Sequence, residues 1–524
     1  SDKEDKSLDY TSEDEKIAAV DENGVITAVG RGTTTIKVKN EAGGYEEEVK
    51  ITVFVETTII NKLRKFVLPE KYQSNVEGAA SGEEGTLVGT NRQYLGQPDM
   101  VRTETGRLIT VFPTGHGHGP LIMKISEDNG ETWTEKKDIP SSWSASQETP
   151  TIYSLQIEDE TEEDGYRERL VLVCACPNWD LVLGGWQMSY SDDDGDTWTQ
   201  FEDFWQTLDG SKHYTIVAMA SLVQLKDEAG NWKQEWMGVY HNDDYENFKT
   251  ILTFDEEGNP QWSKPEKYLS EYRAIESSHR ICEVGMFRSP DGNRIVALGR
   301  NQTHSGPATM FYSDDEGETW TEPVELPGSL AGERHKALYD PVTGKLVITF
   351  REIDYDRNNN GVWEGGSDWI AGEWVAWVGT YEDLMNLQQG EYMIILDEDY
   401  SNNYNSGDTG YTGMVVLKDG TFVLHSYGHW DQAFSSSYVE GGSYNVRTDL
   451  CWIRQAKFNL AELEEELKVD EIPEPELEPS DASRDIPVSA MTVTTGSYYS
   501  GDGGQNIDKA LDGVTTTIWH TDWK

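Results

Sequence analysis

Hydrophobic positions in this chain fall in short runs of period two, and three of those runs lead into the same eight-residue pattern. Residues 121–125, 187–190 and 308–312 alternate as strands do. They lead into Ser126-Glu-Asp-Asn-Gly-Glu-Thr-Trp133, Ser191-Asp-Asp-Asp-Gly-Asp-Thr-Trp198 and Ser313-Asp-Asp-Glu-Gly-Glu-Thr-Trp320. The shared pattern is S-x-D-x-G-x-T-W. Its Asp can accept hydrogen bonds from turn amides, its Gly allows the tight backbone, and its Trp opens the next strand with a large apolar face. A worn fourth copy is Phe254-Asp-Glu-Glu-Gly258 with Trp262 behind it, which spaces the tryptophans at 65, 64 and 58 residues. A fifth step lands on Trp377-Val-Gly-Thr-Tyr381, read as a strand followed by an acidic turn. A regular repeat in an all-β pattern predicts propeller blades. The boxes themselves read as hairpin staples that locate the blades, not as catalytic groups.

The 524 residues allow two to four domains. A net charge of -52 argues against nucleic acid and anionic membrane partners. The acid is spread along the chain, which fits an extracellular protein better than a disordered tail. The 18 Trp and 25 Tyr suit a sugar-binding chain, because aromatic faces stack on sugar rings. The four cysteines, Cys174, Cys176, Cys282 and Cys451, show neither a disulfide framework nor a metal-type spacing. No apolar run is long enough to span a membrane. A monomer is expected.

Residues 1–55 contain Ile17-Ala-Ala-Val-Asp-Glu-Asn-Gly-Val-Ile-Thr-Ala-Val29, then a Gly-Arg-Gly turn and another alternating run. This pattern closely resembles the bacterial immunoglobulin-like domain of group 2 and implies an incomplete β-sandwich module at 1–55. Residues 56–82 connect, 83–463 form the propeller, and 464–485, rich in Glu and Pro, read as an extended linker. At 486–524 the stretch Ala510-Leu-Asp-Gly-Val-Thr-Thr-Thr-Ile-Trp-His-Thr521 resembles the start of a discoidin-type carbohydrate-binding module. The fold class expected is all-β: a six-bladed β-propeller with an N-terminal Ig-like module.

The boxes, blade count and flanking modules together resemble the sialidase superfamily of six-bladed propellers, in its exo-sialidase-like branch. Sialidases are retaining glycosidases with a Tyr nucleophile in place of a carboxylate. In them a Glu activates the Tyr, an Asp is acid/base, and three Arg clamp the substrate carboxylate. Gly410-Tyr-Thr-Gly-Met-Val-Val-Leu-Lys-Asp-Gly420 is similar to the family's nucleophile strand, so the resemblance implies Tyr411 as nucleophile. Glu283, ahead of Ser289-Pro-Asp-Gly and Ile295-Val-Ala-Leu-Gly-Arg300, matches the segment carrying the Glu base and the second Arg.

Two stretches depart from the family. Leu95-Gly-Gln-Pro98 lacks the first Arg, and the loop expected to carry the Asp is Thr114-Gly-His-Gly-His-Gly-Pro120. Its two histidines can exchange protons near neutral pH and its glycines allow close approach. The acid/base therefore stays open between His118 and Glu148, with His116 as a binding residue. Strand ends add Arg300, Arg334, His335, Arg351, His429, Trp430 and His241, which a propeller would gather at one central mouth. Arg300, Arg334 and Arg351 could rebuild an anion clamp.

Asp356-Arg-Asn-Asn-Asn-Gly-Val-Trp-Glu364 places oxygen ligands like an EF-hand-type loop, with Asp356, Asn358, Asn360, Val362 and Glu364 as candidates and Asp368 near the closing position. A structural Ca2+ is the cofactor expected. The function expected is a secreted or wall-attached bacterial exo-glycosidase releasing a terminal sugar from glycans. The resemblance implies sialic acid, and the missing first Arg leaves another sugar open. A non-catalytic propeller lectin and a lyase on the same scaffold are the alternatives.

Overall fold

The computed structural model describes residues 8–29, 32–40, 45–53, 59–78, 94–117, 119–145, 148–163, 165–178, 183–400, 407–430 and 451–469. His118 and the discoidin-like segment at 486–524 lie outside the described residues, as does most of the 464–485 linker. The chain is mostly strand and divides into Thr57–Leu467 and a smaller unit that contains Ser1–Glu56.

In the smaller unit Gly32–Asn40 pairs with Asp9–Ser12 on one side and Tyr45–Val53 on the other. Ala18–Val20 and Ile26–Ala28 form a separate hairpin. Its turn follows from sequence: Asp21 Oδ1 accepts the amides of Asn23 (2.9 Å) and Val25 (2.8 Å), and Gly24 takes a φ of 78°.

Among its described residues the larger unit contains six sheets of four or five strands, antiparallel but for one added edge strand, met in chain order. Their first strands are Asp99–Arg102, Pro150–Glu158, Ile216–Lys226, Ile281–Arg288, Gly332–Tyr339 and Gly413–Val416. Each first strand lies against the first strand of the next sheet, and that of the sixth lies against that of the first. A cavity of about 140 Å³ is lined from the first strands of five sheets and from Thr412, next to the sixth; Asp99, Tyr153, Ser221, Gly285, Arg334 and Thr412 each come from a different sheet. The outermost strands of the last two sheets come from ahead of the first. Lys65–Val67 pairs in parallel with Tyr392–Asp397, and Gln73–Glu77 pairs antiparallel with Trp452–Asn459.

The three boxes are superimposable in their bonding. In the second, Asp193 Oδ1 accepts the Thr197 amide (2.8 Å), Oδ2 accepts the Thr197 hydroxyl (2.6 Å), and Ser191 Oγ accepts the Gly195 amide (3.0 Å). The worn copy keeps the Asp and replaces Thr by Asn, with Asp255 accepting the Asn259 amide at 2.8 Å. The fifth site differs from the expected acidic turn. Thr380 and Asp383 close a capping box, and the chain enters a short helix, Tyr381–Met385.

Apolar faces of neighbouring sheets pack on each other. Between the second and third sheets Trp186 is fully buried, edge-on to Trp262 with ring centroids 5.4 Å apart, among Val171, Val173, Met219 and Trp236. All four cysteines are buried. Among the described residues no helix is long and apolar enough to cross a membrane.

Trp186→Ala is expected to lower stability by about 3–5 kcal/mol in urea unfolding, the range for emptying a large aromatic site in a core. Asp193→Ala, which removes exposed turn bonds, is expected to cost about 1 kcal/mol. Equal losses would place the stability of the repeat in its turns instead of its inter-sheet core.

Candidate active site

In a series of antiparallel sheets the first strands start, and the second strands finish, at the same end. The candidate residues follow that rule. Glu148 and Tyr411 each stand two residues ahead of a first strand, and Glu283 and Arg334 are the third residues of theirs. Arg300, Arg351 and His241 lie at or near the ends of second strands. Register makes the pairing direct, with Cys282 opposite Arg300 and Glu333 opposite Arg351.

Three consecutive first strands break register at this end. Glu283 has a φ of 49° beside a shift between Cys282 and Gly285, and Arg334 a φ of 60° beside a shift between Glu333 and Lys336. The third sheet carries the same irregularity at Val217 (φ 47°) and Met219 (φ 53°). Left-handed non-glycine residues are strained by about 1–3 kcal/mol each and gather where a bulge re-aims a side chain.

The re-aimed groups form a buried charge cluster. Arg300 Nη1 bonds Glu283 Oε1 at 2.9 Å, and its Nη2 bonds Glu333 Oε1 at 2.8 Å. The other Glu333 oxygen takes Arg351 Nη2, and His304 Nε2 lies 2.7 Å from Glu333 Oε1. Arg351 Nη1 donates to the Gly407 carbonyl at 2.7 Å. Burial alone would raise the Glu333 carboxyl, yet Arg300, Arg351 and His304 hold it well below the usual range. Glu283 is likewise lowered: Arg300, the Tyr411 hydroxyl and Arg334 outweigh its burial.

The Tyr411 phenol faces Glu283 and is pushed well above its ordinary value, first by burial and then by the Glu283 charge. Glu283 Oε2 has no hydrogen-bond partner of good geometry. The Arg334 guanidinium sits 5.5 Å from the centre of the Tyr411 ring. Gly410 holds this segment in place: at its φ of 93° an added Cβ would lie 2.3 Å from Arg351 Cβ. Glu148 is 5 % exposed and pushed up to about 7, chiefly by burial, with Glu283 adding to the rise. The His loop closes over it at Gly117, whose φ is 73° and where a Cβ would lie 2.9 Å from Glu148 Oε1. His241 is buried and its pKa lowered by that burial; its ring stacks on Tyr245, and its Nε2 has no hydrogen-bond partner.

The cluster thus brings together Glu148, Glu283, Arg300, Arg334, Arg351, Tyr411 and His241, seven of the residues singled out in the sequence. His116 stands half exposed beside Tyr94, whose hydroxyl lies 2.6 Å from its Nδ1 and donates to Asp408 at 2.9 Å. Gln97, where the family would place its first arginine region, accepts the Gly117 amide at 2.7 Å. Three more of the expected site residues are buried in bonds of their own. His335 bonds the Leu330 carbonyl at 3.0 Å and stacks on Phe350; Trp430 donates to the Trp452 carbonyl at 2.9 Å; His429 lies buried against Asp399. Residues missed in the sequence are Glu333, His304, Tyr94 and Asp408. Glu333 stood beside Arg334, and His304 follows Arg300 past a strand end, so the strand-end rule could have found both.

The calcium-type loop closes on itself. Asp356 accepts the amides of Asn360 and Gly361, each at 2.7 Å, and Asn360 Oδ1 accepts the Val362 amide at 2.9 Å. Asn358 turns its Nδ2 toward Glu364 (3.2 Å) and Asp368 (3.0 Å). Among the described residues no group of three or more His, Cys, Asp or Glu is arranged to hold a metal.

Residues 164–341 match the model of the BNR repeat-like domain, and residues 1–51 match that of the bacterial Ig-like domain of group 2. These are the two kinds of domain that its repeats and its first segment resemble. No curated relative matches the chain. Among solved structures, the intramolecular trans-sialidase from Ruminococcus gnavus, in complex with oseltamivir carboxylate, is similar at 14% identity and a TM-score of 0.44, over 74% of this chain and 98% of its own. An alpha-L-arabinanase from Penicillium chrysogenum, complexed with arabinobiose, aligns at 14% identity and a TM-score of 0.45 over the same shares. A protein of unknown function from Dyadobacter fermentans aligns at 14% identity and 0.43, again over 74% and 98%.

Glu148 yields a pH test. Its folded value of about 7 lies above the ordinary 4.5, so its contribution to stability is full below pH 4.5 and is lost as pH rises through 7. Glu148→Gln removes this dependence. The fall in stability between pH 4.5 and pH 8 is expected to be smaller in the variant by about 2–3 kcal/mol in paired urea titrations. An unchanged fall would mean that Glu148 is ionised throughout.

Proposed function

We propose that Thr57–Leu467 is a six-bladed β-propeller whose charge cluster is the active site of a retaining exo-glycosidase, secreted and acting on terminal sugars of complex glycans. The propeller reading is supported by the closed succession of first strands and by the cavity that they and Thr412 line together. The observation that carries the catalytic reading is the buried couple of Tyr411 and ionised Glu283 beside Arg300, with Glu148 held near neutral pKa in the same cluster.

A phenol in water is a poor nucleophile at neutral pH because its proton leaves only near pH 10. Beside an ionised carboxylate it can lose that proton as it attacks. In the first step Tyr411 Oη bonds to the anomeric carbon, its proton passes to Glu283, and Glu148 protonates the departing glycosidic oxygen. In the second, Glu148 takes a proton from water, the water oxygen bonds to the anomeric carbon, and Tyr411 leaves and recovers its proton from Glu283. Two displacements at one carbon retain its configuration. A Glu148 near 7 suits both roles, since an acid that becomes a base works best with a pKa near the operating pH. Arg334 over the Tyr411 ring stabilises negative charge that develops on the phenol.

Tyr411→Phe is expected to lower sugar release from a glycan array by at least about 10³-fold while leaving binding intact. Glu148→Gln is expected to lower release by about 10²–10⁴-fold from natural glycans, and far less from 4-nitrophenyl glycosides, whose leaving group needs no proton. Release undiminished in Tyr411→Phe would sink the nucleophile assignment. Binding without release by the native protein would make it a lectin.

A further inference from the structure

We propose that the sugar taken by this site is uncharged, because the protein's own Glu333 carboxylate occupies the anion clamp that Arg300 and Arg351 would otherwise offer a substrate. The proposal rests on the glycosidase reading for the location of the site. It uses the geometry of the cluster independently of the reaction.

An arginine pair recognises a carboxylate by presenting its Nη groups to the two oxygens. Here a side-chain carboxylate already receives them. Glu333 Oε1 takes Arg300 Nη2 at 2.8 Å and its other oxygen takes Arg351 Nη2. The remaining Nη groups also have partners, Glu283 at 2.9 Å from Arg300 and the Gly407 carbonyl at 2.7 Å from Arg351. Glu333 is 1 % exposed and is held further by His304 at 2.7 Å. Displacing it would strand a buried carboxylate, which costs far more than a ligand's carboxylate could return.

Charge counting agrees. Glu283 and Glu333 balance Arg300 and Arg351, leaving Arg334, whose guanidinium lies against Tyr411 and whose Nη1 donates to the Ala220 carbonyl at 3.3 Å. An acidic sugar would meet Glu148, Glu283 and Glu333 with no free arginine pair. A neutral sugar would meet groups that match hydroxyls. His241 Nε2 and Glu283 Oε2 are buried, lack full hydrogen-bond partners and can each bond an OH.

The test is calorimetric binding to the native protein and to Glu333→Gln, which keeps shape and removes the charge. Probes are methyl pentosides and hexosides, glucuronic acid, and 2-deoxy-2,3-didehydro-N-acetylneuraminic acid. The native protein is expected to bind a neutral glycoside at least about tenfold more tightly than either acid. Glu333→Gln is expected to gain at least about tenfold for the acids, because Arg300 and Arg351 lose the carboxylate that neutralises them. An acid bound by the native protein as tightly as the neutral probes overturns the proposal. A folded Glu333→Gln that gains no affinity for acids overturns it equally. Should that variant not fold, the native comparison alone decides. Binding needs no turnover, so a neutral-sugar preference without hydrolysis would leave this inference standing while removing the glycosidase.

Discussion

A guanidinium taken out of water has to be met by a carboxylate, and at the rim of this protein that requirement sets the arrangement of everything nearby. Glu333 bridges Arg300 and Arg351, and Glu283 meets the other arm of Arg300. A buried pair of this kind is weak as a source of stability, but removing one member leaves an uncompensated charge that costs about 3–5 kcal/mol. The cluster therefore tolerates little change in parts. Its charge balance keeps Glu283 ionised, ready to receive a proton, whereas burial lifts Glu148 to about 7.

Meeting that requirement demands side chains that regular strands would not deliver. A strand alternates its faces, so consecutive residues such as Glu333 and Arg334 point apart. The bulges at Glu283 and Arg334 alter that alternation at the cost of left-handed backbone, and Gly410 and Gly117 let neighbouring segments approach where a Cβ would collide. Strain in three adjacent first strands is tolerated because the inter-sheet cores below, such as that around Trp186, fix the strands on either side.

The sheets were legible in the sequence because burial of one face imposes period two, and the boxes were legible because each needs the same Ser, Asp, Gly and Thr bonds to close its turn. The rim was legible for a topological reason: alternate turns of a meander share an end. The bulges were not, since a one-residue shift in register leaves composition unchanged. That is why His335 was expected beside Arg334 and instead stacks on Phe350. Trp430, expected at the site from its place at a strand end, has its indole bonded to the Trp452 carbonyl in the sixth sheet. The Asn-rich loop shows a different ambiguity, because oxygens spaced to hold a cation are equally spaced to accept the amides of an Asx turn, as Asp356 does.

The last two sheets borrow their outer strands from the beginning of the unit, Lys65–Val67 and Gln73–Glu77. Within this unit these strands are made first, and they have no partner until Tyr392–Asp397 and Trp452–Asn459 follow. Until then the nascent unit carries two orphan edges, open to pairing with any neighbour. Once Trp452–Asn459 has paired, Leu460–Leu467 sets Glu464 on Tyr392 (2.6 Å) and Glu466 on Tyr72 (2.7 Å) like a clasp. Vulnerability to misassembly is thus concentrated in time, at the moments before that clasp shuts.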